Sequence, residues 1–254
     1  MIRTAVLLVA GLGSRLGEHT ANIPKCLIEV DGQPLLDRTI QALLDQGITK
    51  IIIVGGYKAD VLEAFLAQRN YAATITVTYN HHYASSNNIY SLWIAFNLLR
   101  LNEGFLLLEG DLIFESHILS AFLKESAIAL DIYKPEIHSG TTAELSASGY
   151  LKSLFFRPEL PEAPLIYKTV NIYSFEADFA EHLFYTLDRF IQNGRTQIYY
   201  EYAIDEVIKK YGHKLKLVDF SEVFWDEIDS ETDLHRVEAH IAQFKLQDSS
   251  VQKQ

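Results

Sequence analysis

The chain has 254 residues, 48% hydrophobic and 22% charged, with a formal net charge of −11. That length can bury a sizeable core without disulfides or structural metals, and the negative charge argues against non-specific binding to nucleic acid or anionic membranes. One cysteine, Cys26, excludes an intramolecular disulfide and fits a reducing compartment.

In chain order, Thr4 to Ala10 is a short apolar run. It is too short for a signal-peptide core or a membrane span, so it reads as a buried strand and the expected location is cytoplasmic. A Gly-rich loop follows. Pro34 then opens a helix with Leu36, Ile40, Leu43 and Leu44 on its apolar face and Gly47 as its stop. Lys50–Val54 predicts a second buried strand, Lys58–Gln68 a helix and Ala73–Tyr79 an alternating strand. Asn88–Arg100 predicts a helix, with Ile89, Leu92, Trp93, Phe96 and Leu99 at helical spacing and Trp93 in the core. Gly104–Glu109 is a third buried strand. Solidly apolar strands alternating with helices predict an α/β fold, a Rossmann-like, mostly parallel sheet covered on both faces.

From about Ser126 to Ser174 β-rich segments follow one another, predicting an antiparallel excursion. Helices near Glu176–Gln192 and Tyr199–Lys210, a strand at Lys214–Val218 and a terminal helix capped by Ser230 and Asp233 complete the reading. A single domain is expected over 1–242, with its core at about 1–130, the excursion at about 131–220, the terminal helix at 230–242 and a disordered tail at 243–254.

Residues 9–17 read VAGLGSRLG, and Ile23-Pro24-Lys25 follows. A loop opening directly after the first strand stands where open α/β sheets place ligands. Gly11 and Gly13 let the backbone approach a phosphate, Arg15 adds a planar cation, and Lys25 a second one after a rigid proline. The Walker A pattern is missing. The dinucleotide pattern fails because Gly17 falls one residue late and Gly55-Gly56-Tyr57 stands where an acid is required. What remains, GLGSRL and IPKCLIEVDGQPLL, resembles the signature of the sugar-phosphate nucleotidyltransferases. The resemblance implies a nucleotide held by Ala10, Gly11, Leu12, Gly13, Ser14, Arg15 and Lys25, with Lys25 and Arg15 catalytic.

Asp111 ends an apolar strand in LLLEGDLIF, and Asp229 lies in FWDEIDSETDL before the last helix. Taken singly, one reads as a turn residue and the other as a helix cap. Together they resemble the paired Mg²⁺ ligands of the same family; Glu109, Asp226 and Glu227 read as solvated neighbours. Asn87-Asn88-Ile89-Tyr90-Ser91-Leu92 looks like a stretch of the CTP:phosphocholine cytidylyltransferases and their phosphonate relatives. That likeness implies Asn87, Asn88 and Ser91 at the nucleotide and Tyr90 at the acceptor. Lys168 to Tyr173 resembles the acceptor strand, with Lys168 and Asn171 as its binding residues, although Lys168 reads equally well as an exposed strand-end lysine. The mid-chain tryptophan of the phosphocholine enzymes has no counterpart. For a cationic head group, Tyr83, Tyr90, Trp225 and Glu201 are available. His81 and His82 read as a loop pair, and Cys26 as packing, with Lys25 beside it to lower its pKa.

The expected function is Mg²⁺-dependent transfer of CMP from CTP to a small phosphorylated or phosphonate acceptor, of the phosphocholine, phosphoethanolamine or 2-aminoethylphosphonate class, with release of pyrophosphate. The alternatives are a hexose-1-phosphate or inositol-phosphate nucleotidyltransferase and a non-catalytic nucleotide-sensing domain. Expected partners are CTP and the acceptor, with no nucleic acid and no membrane; a homodimer is the candidate assembly.

Overall fold

Residues 1–100, 103–156, 160, 162 and 164–251 are described by a computed structural model. The first half runs β1 (Thr4–Leu8), β2 (Glu29–Val30), β3 (Gln33–Pro34), α1 (Leu35–Asp45), β4 (Lys50–Gly55), α2 (Ala59–Ala67), β5 (Thr74–Tyr79), α3 (Asn88–Ala95) and β6 (Phe105–Glu109). Strands β5, β4, β1 and β6 lie side by side in that order, all parallel. Every residue of β1 is buried because both faces of the sheet are covered. Val6 and Leu8 enter a core with α3, while Ala5 and Leu7 enter one with α1 and α2. The chain steps outward from β1 to β4 and β5, then returns to the other side of β1 with β6. That reversal leaves a crevice at the carboxyl ends of β1 and β6, where open sheets bind ligands.

The second half runs β7 (Leu112–Phe114), β8 (Ala127–Ile132), β9 (Thr142–Leu145), β10 (Leu151–Phe155), β11 (Tyr167–Phe175), α4 (Ala177–Gln192), α5 (Glu201–Tyr211), β12 (Lys216–Asp219), β13 (Trp225–Glu227) and α6 (Glu231–Val251). Strand β11 extends the sheet antiparallel to β6, and β9 and β10 continue it. Strand β8 pairs antiparallel with β11 and carries β12 parallel on its other side. The parallel core and the antiparallel excursion are both as expected.

Two boundaries differ from the sequence reading by more than two residues. Helix α3 stops at Ala95, five residues before Arg100, because the N–H groups of Phe96, Asn97 and Leu98 turn to carbonyls three residues back. Helix α6 runs to Val251, so the backbone of 243–251 is helical where a tail is expected. No Gly or Pro interrupts the chain after Ser230, and Ala242, Lys245, Leu246 and Gln247 favour helix. At the other end the expected cap forms: the Ser230 hydroxyl accepts from the Asp233 N–H at 3.4 Å, and Asp233 Oδ2 accepts from the Asp229 N–H at 3.1 Å. Among the described residues no helix is long and apolar enough to cross a membrane.

Candidate active site

A cleft of about 700 Å³ opens at the reversal point, a size suited to a small-molecule ligand. Its floor is the loop after β1. Gly13 adopts φ 63°, and a Cβ there would stand 3.1 Å from Lys25 Cβ, so glycine lets the loop lie against the lysine stem. The backbone N–H groups of Gly11, Leu12 and Gly13 donate to no protein group among the described residues. Three unpaired donors facing a cleft make a site for an anion. Ala10, Ser14 and Arg15 line the same wall.

Beside the loop, Lys25 joins the two distant aspartates. Its ammonium lies 2.6 Å from Asp111 Oδ2 and 2.5 Å from Asp229 Oδ1. Burial works against the lysine charge, but the two carboxylates outweigh it and hold the pKa above the ordinary lysine value. Arg15 reaches Asp229 Oδ2 at 2.7 Å from an exposed position. The convergence is built by a small ladder. Strand β13 pairs antiparallel with β7, Glu227 opposite Leu112, and Ile228 N–H donates to the Asp111 carbonyl at 3.0 Å. Asp229 is thereby held beside a strand end that lies far from it in sequence.

The same ladder corrects the reading of the neighbouring acids. Glu109 and Glu227 are half-buried and line the cleft rather than standing solvated outside it. Glu109, Asp111 and Glu227 each offer an oxygen within 4.8 Å of the others. Burial, then the other carboxylates, push the Glu109 pKa well above the usual range; burial, opposed by Lys168, pushes Glu227 up to about 7. Asp226 instead takes a two-pronged contact from Arg236, at 2.7 and 2.6 Å, outside this cleft. Asp111 Oδ1 is buried without a hydrogen-bond partner. A carboxylate oxygen left open among three further acids fits the all-oxygen donor set of a hard divalent cation.

Asn87, Asn88 and Ser91 line the cleft as expected. Their side chains are also committed to structure. Asn88 donates to Glu109 Oε1 and accepts from the Tyr200 N–H, both at 3.0 Å, tying α3 to β6 and to the start of α5. Asn87 caps α3, and the Ser91 hydroxyl accepts from buried Asn80 at 3.0 Å. Tyr90 is the exception. It is not among the residues lining the cleft; its ring packs on His82 and Trp93, because successive helix positions turn to different sides of α3. Trp93 is half-buried against the core and donates to Asp188 at 3.0 Å. His82 holds its loop through its carbonyl, which accepts from Ser86.

Lys168 and Asn171 both line the cleft although they stand three residues apart on β11. A regular strand would send them to opposite faces. Two extra residues bulge β11 against β8 between Thr169 and Tyr173, and Asn171 sits at φ 63°, which re-aims the side chains. Lys168 is buried, not an exposed strand end; it donates to the Thr169 carbonyl and lies 3.9 Å from Glu227. Glu201, the first residue of α5, joins the same end of the cleft at 3% exposure. Burial pushes its pKa up to about 7, against the opposing pull of its own backbone, Lys168 and Thr141. Tyr83 lines the cleft; Trp225 lies in a neighbouring cavity of about 460 Å³, its indole N–H on Asp131. The Cys26 thiol is buried and pushed up to about 12, opposite to the lowering expected from Lys25, because burial disfavours the thiolate.

Glu109 and Glu227 thus belong to the site although their sequence context reads as solvated, and nothing in the sequence sets Glu201 apart from its neighbours. The only sequence signal for the first two is their two-residue offset from Asp111 and Asp229.

A model of the MobA-like NTP transferase domain matches residues 5–149. The CMP-5'-(3-aminopropyl)phosphonate synthase of Streptomyces rubellomurinus is 30% identical over 236 residues, 90% of this chain and 37% of that protein. The 2-aminoethylphosphonate cytidylyltransferase of Lancefieldella rimae is 36% identical over 115 residues, 45% of each protein. The chain thus spans less than half the length of these curated relatives. The solved CTP:phosphocholine cytidylyltransferase of Streptococcus pneumoniae superposes with a TM-score of 0.80 at 23% identity, over 94% of this chain and 100% of that one. That likeness establishes the fold.

Proposed function

This chain belongs to the MobA-like NTP transferase family, and from that footing we propose that it transfers CMP from CTP to a small phosphorylated or phosphonate acceptor. One observation carries the proposal: Lys25 bridges Asp111 and Asp229 in the same cleft as the open N–H groups of the loop after β1. Names of relatives support the choice of CTP and of a phosphonate or choline-phosphate acceptor.

An acceptor phosphate or phosphonate oxygen attacks the α-phosphorus of CTP. A new oxygen–phosphorus bond forms, and the bond to the β-phosphate oxygen breaks, releasing pyrophosphate. The attacking oxygen is already ionised near neutral pH, so no general base is required, and catalysis is positioning plus charge stabilisation. The N–H groups of Gly11, Leu12 and Gly13 and the Arg15 guanidinium bind the β- and γ-phosphates. Lys25 stabilises the charge that develops on the equatorial oxygens, and Lys168 with Asn171 orients the acceptor anion. Asp111 and Asp229, with Glu109 and Glu227 beside them, would hold Mg²⁺, which supplies neutralisation of phosphate charge.

The test is pyrophosphate release from each of the four NTPs with a panel of phosphocholine, phosphoethanolamine, 2-aminoethylphosphonate, inositol phosphate and hexose-1-phosphates. CTP-specific release dependent on an acceptor supports the proposal. Release with hexose-1-phosphates alone reassigns the acceptor, and no release with any pair leaves a nucleotide-sensing role.

A further inference from the structure

At the end of β4, Gly55-Gly56-Tyr57 stands where a dinucleotide-binding sheet carries an acid, and no step of the transfer uses it. Resting on that transfer reading, we infer that Tyr57 is a positioning residue: it ties the two ends of the phosphate loop together and so sets the affinity for the β- and γ-phosphates of the nucleotide. Its backbone N–H donates to the Ala10 carbonyl, where the loop begins, at 3.2 Å. Its hydroxyl proton is shared between the carbonyls of Thr20 and Ala21, where the loop ends, both at 3.0 Å. The Thr20 hydroxyl in turn donates to the Gly13 carbonyl at 2.9 Å. Tyr57 is thereby connected through Thr20 to Gly13, whose N–H is one of the three open donors.

The loop needs such a brace. Between residues 11 and 19 only Leu16 is buried. A loop so exposed has little packing to order it, and an anion that binds there must bear the entropy of ordering it. Joining both ends lowers that cost before the ligand arrives. The turn after β4 is shaped for close approach. A Cβ on Gly56 would stand 2.8 Å from the Ala10 carbonyl oxygen and 2.9 Å from Tyr83 Cβ, so glycine lets the Tyr57 N–H come within reach of Ala10. Lys58, at φ 51°, then turns the chain into α2 and leaves Tyr57 at the corner. The Tyr83 ring, which lines the cleft, meets the Tyr57 ring edge-on at 6.2 Å. Tyr57 itself is outside the cleft lining, so it acts through the loop and not on the nucleotide.

Calorimetry on the full chain with Mg²⁺ compares CTP, pyrophosphate and CMP as ligands of the wild type and of Tyr57→Phe, which keeps the ring and removes the hydroxyl. Loss of one hydrogen bond should weaken CTP and pyrophosphate binding by about 3–10-fold. CMP, which has no β- or γ-phosphate, should bind both proteins equally. A general loss of stability would not produce that split. Hydrogen–deuterium exchange over residues 11–21 of the nucleotide-free protein should quicken by about the same factor. Tyr79→Phe removes another tyrosine hydroxyl, the one donated to Glu63, and should change neither measurement. Equal weakening of CTP and CMP, an unchanged CTP affinity, exchange that does not quicken, or an equal effect of Tyr79→Phe overturns the inference but leaves nucleotidyl transfer standing. If the wild type binds no NTP, the transfer reading fails by itself. Exchange then decides the brace: quickening in Tyr57→Phe supports it, and an unchanged rate overturns it.

Discussion

Glu201→Gln makes a sharp prediction for stability. The folded pKa of Glu201 stands at about 7 against an ordinary value of 4.5, raised chiefly by burial. A carboxyl whose folded value lies above its unfolded one binds its proton more tightly in the native state. Native stability is therefore lost as pH rises from 4.5 to 7, and the loss is complete above 7. At about 1.36 kcal/mol per pH unit, a difference of 2.5 costs about 3 kcal/mol at pH 8. Glutamine removes the ionisation and with it the penalty. The variant should be more stable than the wild type by about 3 kcal/mol at pH 8, and by under about 1 kcal/mol at pH 5, where only half a pH unit of the penalty applies. For a chain of this size that corresponds to a Tm higher by roughly 6–12 °C at pH 8. Thermal unfolding followed by circular dichroism at both pH values measures it. A Tm equal to or below the wild type at pH 8, or a gain of the same size at pH 5, refutes the account of Glu201 as a strained, uncompensated acid.

Three further outcomes are expected. Lys25→Ala should lower kcat by about 10²–10³ with little change in CTP binding, the usual cost of removing one charge-stabilising donor; near-normal turnover in stopped-flow or steady-state assays removes Lys25 from the chemistry. Mg²⁺ should raise the Tm of the wild type with CTP present, and the rise should vanish in Asp111→Asn and in Asp229→Asn; a metal-dependent shift that persists in either variant means that the ion is held elsewhere. Asn171→Ala places an ordinary side chain at φ 63° and should cost about 1–2 kcal/mol, whereas Asn171→Gly should keep the wild-type Tm yet weaken acceptor binding. Equal losses of Tm in the two variants would mean that the amide contacts, not the backbone conformation, hold the bulge.

What the sequence determined by itself is the part that local chemistry encodes. Apolar runs such as Ala5 to Leu8 and Ile51 to Val54 can be buried on both faces only in a covered parallel sheet. Glycines, Arg15 and Pro24-Lys25 at fixed spacing after the first strand mark a phosphate loop, because close backbone approach and nearby cations are needed within a few residues of one another. Asp111 was legible for the same reason, as an acid at a buried strand's end. The tertiary structure decided everything that depends on where distant segments meet. The β7–β13 ladder sets Asp229 beside Asp111 and brings Glu227 with it, and no periodicity near residue 227 announces that pairing. The rotation of α3 turns Tyr90 out of the cleft while its neighbours Asn88 and Ser91 stay in it. The β11 bulge puts Lys168 and Asn171 on one side, against the alternation that a strand pattern implies. Burial then fixes the state of the acids: the desolvation of Glu201 arises only when α5 packs against α4 and against β10, which lies far from it in sequence.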